Sequence, residues 1–396
     1  SEEAVESYQK AIAIKPGYAQ AHNNLGNALQ EIGQPEKAMA SYHMAVKIKT
    51  DYAKAYNNLG LVLKSLGKPE EAIANYNKAL AFKPNFAEAH NNLANEFKEL
   101  GQLDEALAHY HKAIDIQPDY AEVYSNLGVA VQELGRLKEA VTYFQKAINI
   151  DSHLAEAHSN LSFALQDLGQ LEGAVASCHK ALAIKPDYPE AHFNLGNALQ
   201  GLGRLDDALT NYHRALSIKP DFIDAEKNLL LVMLYVPGLS PGELFTEHSR
   251  FSENHAREIS SLEEALSNEP TPDRRLKVGY LSSNFQSHPV GYNILPLLSS
   301  HDRTKFEIYC YADVRRPDAI TERFQSCVDH WNTITGKSDA EVASIVRADE
   351  IDVLVCLAGH FDNNRPLVCA HRAAPVQVSY HDVATSGLEE MDYLLT

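Results

Sequence analysis

Cysteine is scarce in this chain: 396 residues hold five, Cys178, Cys310, Cys327, Cys356 and Cys369, with no CxxC pair among them. Three of the five stand in apolar, strand-like contexts where a free thiol behaves as a small hydrophobe. A reducing compartment, and hence a cytoplasmic location, is expected. No signal peptide opens the chain and no apolar run is long enough to cross a bilayer, although a start without methionine leaves room for a segment upstream. Basic residues are outnumbered 53 to 35, a net charge of -18, and no Lys/Arg-rich block interrupts that balance. Such a field argues against partnership with nucleic acid or an anionic membrane. GxxxxGK[ST] and HExxH are missing too, and no GxGxxG follows the first strand-like run of the α/β half, which argues against the common dinucleotide fingerprint.

What is present is a repeat. The unit that starts at Ala19 returns at Ala53, Ala87, Ala121, Ala155 and Pro189, every 34 residues. Its seventh position is always leucine, from Leu25 to Leu195, and its twentieth always alanine, from Ala38 to Ala208. Position 24 is aromatic except at Cys178, so large side chains on one helix meet alanines on its partner. Gly33, Gly67, Gly101, Gly135, Gly169 and Gly203 are placed to stop a first helix, and Pro84, Pro118, Pro186 and Pro220 follow a second. Each unit is read as a helical hairpin, and the pattern resembles the tetratricopeptide repeat. Ser1 to Tyr18 matches only the second half of a unit, so further repeats are expected before Ser1.

The sixth position is asparagine in every unit: Asn24, Asn58, Asn92, Asn126, Asn160 and Asn194, with Asn228 continuing the register. Asparagine is a mediocre helix former, so propensity does not select it. One helix step is a rotation of about 100°, which puts these residues beside the core leucines on a neighbouring face and runs them as a ladder along a stacked array. Two readings are open. Their amides could hold the main chain of an extended peptide or substrate protein in the repeat groove, or they could bond adjacent hairpins together. His22, His90, His158 and His192 share the fourth, packing position with Tyr56 and Tyr124 and are read as structural rather than as metal ligands.

Residues 1–222 form the repeat domain, and 223–272 a helical capping and linker region broken by VPGLSPGEL. From 273 the pattern alternates, with strands expected over 276–281, 306–312, 351–357 and 376–380 and helices over 290–298, 319–328 and 339–347. Such alternation means a parallel sheet covered by helices. His288 follows the first strand, at the carboxyl end where open α/β sheets take ligands. It is either a chemical group or a loop histidine that caps the next helix.

A second resemblance lies in SSNFQSHPVGYNI, LAGHFDNNRPLVCAHRAAPVQVSY and TSGLEEMDYLL. These look like the amino-terminal catalytic lobe of the bacterial-type O-linked N-acetylglucosamine transferases, a GT-B family whose members carry tetratricopeptide repeats directly before that lobe. The resemblance implies an all-α repeat superhelix followed by an α/β Rossmann-like lobe over 273–396, the first half of a GT-B fold whose second lobe lies beyond Thr396. It implies transfer of N-acetylglucosamine from UDP-N-acetylglucosamine to serine or threonine of intracellular proteins, inverting, with no metal and no cofactor, and a chain that is inactive without the second lobe. His288 then matches the family's active-site histidine, as general base or as orienter of acceptor and sugar. Gly359, His360 and Arg365 match a cleft loop, with Phe361 where a threonine is usual. Thr385 and Ser386, with Gly387, keep the end of a donor loop whose Gly-Tyr-Pro is here replaced over 380–384. Two other outcomes fit the same residues: a repeat scaffold with a catalytically dead lobe, or an O-fucosyltransferase of similar architecture. Self-association through the repeats is left open.

Overall fold

Leucine at position 7 and alanine at position 20 of the repeat build paired helices, as the spacing predicts. A computed structural model describes residues 2–256, 259, 266, 268–269, 271, 273–359, 364–380 and 387–395. After α1 (Glu2–Ile14), each repeat supplies two helices. The first of each pair are α2 (Ala19–Glu31), α4 (Ala53–Ser65), α6 (Ala87–Glu99), α8 (Ala121–Glu133), α10 (Ala155–Asp167) and α12 (Pro189–Gly201). The second are α3 (Pro35–Ile48), α5 (Pro69–Phe82), α7 (Leu103–Ile116), α9 (Leu137–Ile150), α11 (Leu171–Ile184) and α13 (Leu205–Ile218). The glycine after each first helix has φ between 71° and 76°, the left-handed conformation that ends a helix without a Cβ clash.

The hairpins interlock by size. A Cβ on Gly26 would lie 2.5 Å from the Tyr42 ring, and one on Gly128 or Gly196 would lie 2.6 Å from Phe144 or Tyr212. Each aromatic is fully buried. Where Cys178 replaces the aromatic, Ser162 replaces the facing glycine and hydrogen-bonds the thiol, so the smaller knob comes with a smaller hole.

The chain forms two compact units, 1–186 and 187–396. The second contains α12, α13, α14 (Ile223–Met233), α15 (Pro241–His255) and a parallel sheet. Its elements are β1 (Leu276–Ser282), α16 (Pro289–Ser300), β2 (Phe306–Ala312), α17 (Ala319–Ser326), β3 (His330–Thr333), α18 (Asp339–Ala348), β4 (Val353–Leu357), α19 (Leu367–Ala370), β5 (Val376–Tyr380) and β6 (Tyr393–Leu395). Strand order is β3-β2-β1-β4-β5-β6, all parallel. Alternate strand residues feed two apolar layers. Val278, Tyr280, Ile308 and Cys310 pack with Phe285 and Ile294 on one face, and Leu281, Tyr311 and Leu354 with Val342, Leu230 and Phe251 on the other.

β2 and β5 keep their expected bounds, and β4 starts two residues later than expected. β3 and α19 were not anticipated. His330–Thr333 carries no apolar run, and four residues in α19 are too few for a helical period. The cysteines need a correction: Cys356 of β4 and Cys369 of α19, 13 positions apart, form a disulfide, while Cys178, Cys310 and Cys327 are free. Only the return of the chain through α19 brings the pair together. Among the described residues no helix is long and apolar enough to cross a membrane.

Candidate functional site

In the order β3-β2-β1-β4-β5-β6 the winding reverses between β1 and β4. There the loops leaving two neighbouring strands diverge to opposite faces and open a crevice. The loop after β1 runs to His288. The loop after β4 begins with Ala358 at φ 62° and Gly359 at φ 47°. A left-handed alanine costs on the order of 1 kcal/mol and persists only where its surroundings fix it. Here the Ala358 N–H donates to the Tyr380 carbonyl at 2.8 Å.

Asn364 closes the gap between the two loops. Its Oδ1 accepts from the Ser283 N–H at 2.9 Å and the Ser282 hydroxyl at 3.0 Å, and its Nδ2 donates to Asn284 Oδ1 at 2.7 Å. All four residues are at most 5% exposed, so each bond acts in a setting where an unmade one is costly. Nothing in the sequence marks Asn364, because its role depends on a fold that brings it to Ser283.

His288 is the N-cap of α16, and its Nδ1 accepts from the Val290 N–H at 3.3 Å. A neutral ring held in this way carries its proton on Nε2. The loop is held at two further points. The Ser287 N–H donates to Asp318 Oδ2 at 2.7 Å, and the N–H groups of Thr321 and Ser287 keep the Asp318 carboxyl below its ordinary range. Gly291, in the first turn of α16, lies so close to the loop that a Cβ would meet the carbonyl oxygens of Gln286 and Asn284. The signal for it was a glycine inside an apolar helical run, a costly choice unless a backbone passes nearby.

Arg365 is half of a second lock. Its Nε donates to Asp339 Oδ1 at 2.7 Å and its Nη2 to the Lys337 carbonyl at 2.7 Å, with Asp313 3.7 Å away. A cavity of about 240 Å³ lies beside it, lined among others by Lys227, Asp313, Arg315, Asp339 and Asn364. Of the other cleft residues expected from the sequence, Gly359 stands at the turn out of β4, whereas His360, Thr385 and Ser386 lie outside the described residues. Gly387, at φ 72°, runs against the backbone of α15, where a Cβ would strike the His248 carbonyl.

The asparagine ladder bonds hairpin to hairpin. Asn58 Nδ2 donates to Asn23 Oδ1 at 3.1 Å and Asn27 Oδ1 at 3.0 Å, Asn92 to Asn57 and Asn126 to Asn91 at 3.0 Å, and Asn160 to Ser125 Oγ at 3.3 Å. Asn24 accepts from its neighbour Asn23 at 3.3 Å, Asn194 is buried, and Asn228 donates to Asn197 at 2.8 Å. The recurrent partner stands at position 5, as Asn23, Asn57, Asn91 and then Ser125, a second periodic polar position beside the ladder. An amide has two N–H donors and an acceptor, so one such bond does not exhaust it. His22, His90 and His158 each reach a backbone carbonyl in the turn before their helix, as packing residues would.

Residues 260–396 match the glycosyl transferase family 41 model, and tetratricopeptide repeat models match segments from residue 2 to residue 222. A probable UDP-N-acetylglucosamine–peptide N-acetylglucosaminyltransferase of Arabidopsis thaliana, SPINDLY, is 37% identical over 179 residues, 43% of this chain and 19% of its own length. The corresponding transferase of Caenorhabditis elegans is 32% identical over 126 residues, 31% of this chain and 11% of its own length. The chain therefore spans under a fifth of these curated relatives. Among solved structures, a mutant of the Thermobaculum terrenum O-GlcNAc transferase superposes with a TM-score of 0.65 at 31% identity, covering 69% of this chain and 53% of that one. Tetratricopeptide repeats thus lead into a family 41 glycosyltransferase segment, an arrangement in which the chain is similar to the O-GlcNAc transferases.

Proposed function

We propose that the protein transfers N-acetylglucosamine from UDP-N-acetylglucosamine to serine or threonine hydroxyls of other proteins, and that the repeats recruit the substrate. The observation that carries this reading is the bonding of Asn364 to Ser282, Ser283 and Asn284, which lead to His288, at the crevice between β1 and β4. The nucleotide sugar is a substrate in this reading, and the transfer is taken as inverting, metal-independent and free of any cofactor. The acceptor hydroxyl attacks the anomeric carbon, the bond to the diphosphate breaks, and the hydroxyl proton leaves to a base.

Within this reading His288 orients rather than deprotonates. Its Nδ1 accepts the Val290 N–H, so the neutral ring offers an Nε2 proton, which can donate to a sugar or acceptor oxygen. To act as a base from this position the ring would have to change tautomer or give up its cap. Gly359, His360, Thr385 and Ser386 are assigned to the donor side of the cleft. Arg365 serves that side through the ion pair that anchors its loop. The ladder from Asn24 to Asn194 is assigned to the substrate main chain, through the bonding capacity left after its contacts between hairpins.

The test is to offer the full-length protein UDP-N-acetylglucosamine and, separately, GDP-fucose, with an acceptor protein, and to read the mass added to serine and threonine. An N-acetylhexosamine increment that requires the UDP-sugar is expected. A deoxyhexose increment would replace the donor, and no increment from either would leave a repeat scaffold.

A further inference from the structure

Two consecutive residues of α14 hold opposite partners. Asn228 donates to Asn197 Oδ1 in α12, repeating the rung that joins one hairpin to the next. Lys227, one step along the helix, donates from Nζ to the Asn364 carbonyl at 3.0 Å. A step of about 100° is what lets neighbours on a helix address two different bodies. Lys227 is only 8% exposed and Asn364 3%. A buried ammonium is costly unless it is bonded and has charge nearby, and a methionine would fill the same volume at no such cost. What the ammonium supplies is a directed bond to a main-chain carbonyl, beside a cavity that Asp224, Asp313 and Asp339 also line.

The carbonyl it holds belongs to the residue whose side chain ties Ser282, Ser283 and Asn284 together. A continuous polar path therefore runs from the last repeat hairpin through Asn228 and Lys227 to Asn364, and from there to the backbone of the loop that ends in His288. We propose that Lys227 and Asn364 are positioning residues, a strut by which α14 sets the crevice loops after β1 and β4 against the end of the repeat array. The catalytic part of this proposal rests on the transferase reading, but its structural part does not.

The experiment compares Lys227→Met, Asn364→Ala and Asn364→Asp with wild type in the full-length protein. Amide hydrogen exchange at Ser283, whose N–H is held by Asn364 Oδ1, should quicken about tenfold or more in Asn364→Ala and measurably in Lys227→Met. In Asn364→Asp, which keeps that acceptor, protection should partly return. Turnover onto a protein acceptor should fall on the order of tenfold to a hundredfold in Lys227→Met, the size of effect a loop misplaced by about 1 Å produces, with KM for the nucleotide sugar within about threefold of wild type. Unchanged Ser283 exchange in Asn364→Ala overturns the strut. Unchanged kcat in Lys227→Met and Asn364→Ala, with an active wild type, overturns its part in positioning. An inactive wild type sinks the transferase reading instead and leaves the exchange data to decide the strut.

Discussion

Gly291 presses the first turn of α16 against the His288 loop, and the space left for a side chain there is negative. Gly291→Ala should therefore cost about 1–3 kcal/mol of stability, as overpacking does, and displace the loop. A thermal melt checks the first effect, and a wild-type melting temperature would mean that the loop yields freely. Cys178 and Ser162 make a complementary case, since the chain itself contains the alternative pair in Gly26 with Tyr42. Cys178→Tyr alone should destabilise by about 1–3 kcal/mol, and adding Ser162→Gly should recover most of that loss. Equal destabilisation in the single and double variants would show that the two positions do not share one space. Of these residues, the 34-residue register already exposed Cys178 as an exception. Asn364 and Gly291 were less legible because each acts on backbone far away or on the other side of a turn.

The hairpin of α6 and α7 differs from the others in an acid-sensitive way. His90 Nδ1 and His109 Nδ1 lie 2.9 Å apart, His90 Nε2 reaches the Pro84 carbonyl, and the bond between the rings needs one of the facing nitrogens unprotonated. Burial, then His90 and Lys112, pushes His109 down to about 4, and burial lowers His90 as well. A histidine whose folded pKa lies below its unfolded value near 6.5 contributes stability that is complete above that pH and is lost as pH falls towards 4. The expected loss is about 1–2 kcal/mol between pH 7 and pH 5. Urea unfolding of wild type and His109→Asn at the two pH values measures it. The substitution should flatten the dependence, and identical slopes would assign the acid sensitivity to other groups. At the scale of elements the sequence was most informative where a period repeats, in the hairpins and in β2 and β5. It was least informative in β3 and α19, which are shorter than the period that would reveal them.

Across the molecule the asparagine ladder bonds hairpin to hairpin, and its proposed hold on substrate can be tested against that role. Asn58, Asn92, Asn126 and Asn160 each bond the hairpin before them, so replacing all four with alanine should lower the melting temperature by several degrees, at about 0.5–1.5 kcal/mol for each bond. If the same amides also hold the substrate main chain, transfer to folded proteins should fall further than transfer to short peptides. An equal loss on both acceptors would confine the ladder to holding hairpins together. The central claim, that sugar transfer occurs at the crevice between β1 and β4, is tested most directly by kcat of the full-length His288→Ala protein with UDP-N-acetylglucosamine and a protein acceptor, read beside its melting temperature. A fall of about 10² is predicted, with no more than the about 0.5–2 kcal/mol of stability that loss of the cap costs, and turnover within a fewfold of wild type would contradict it.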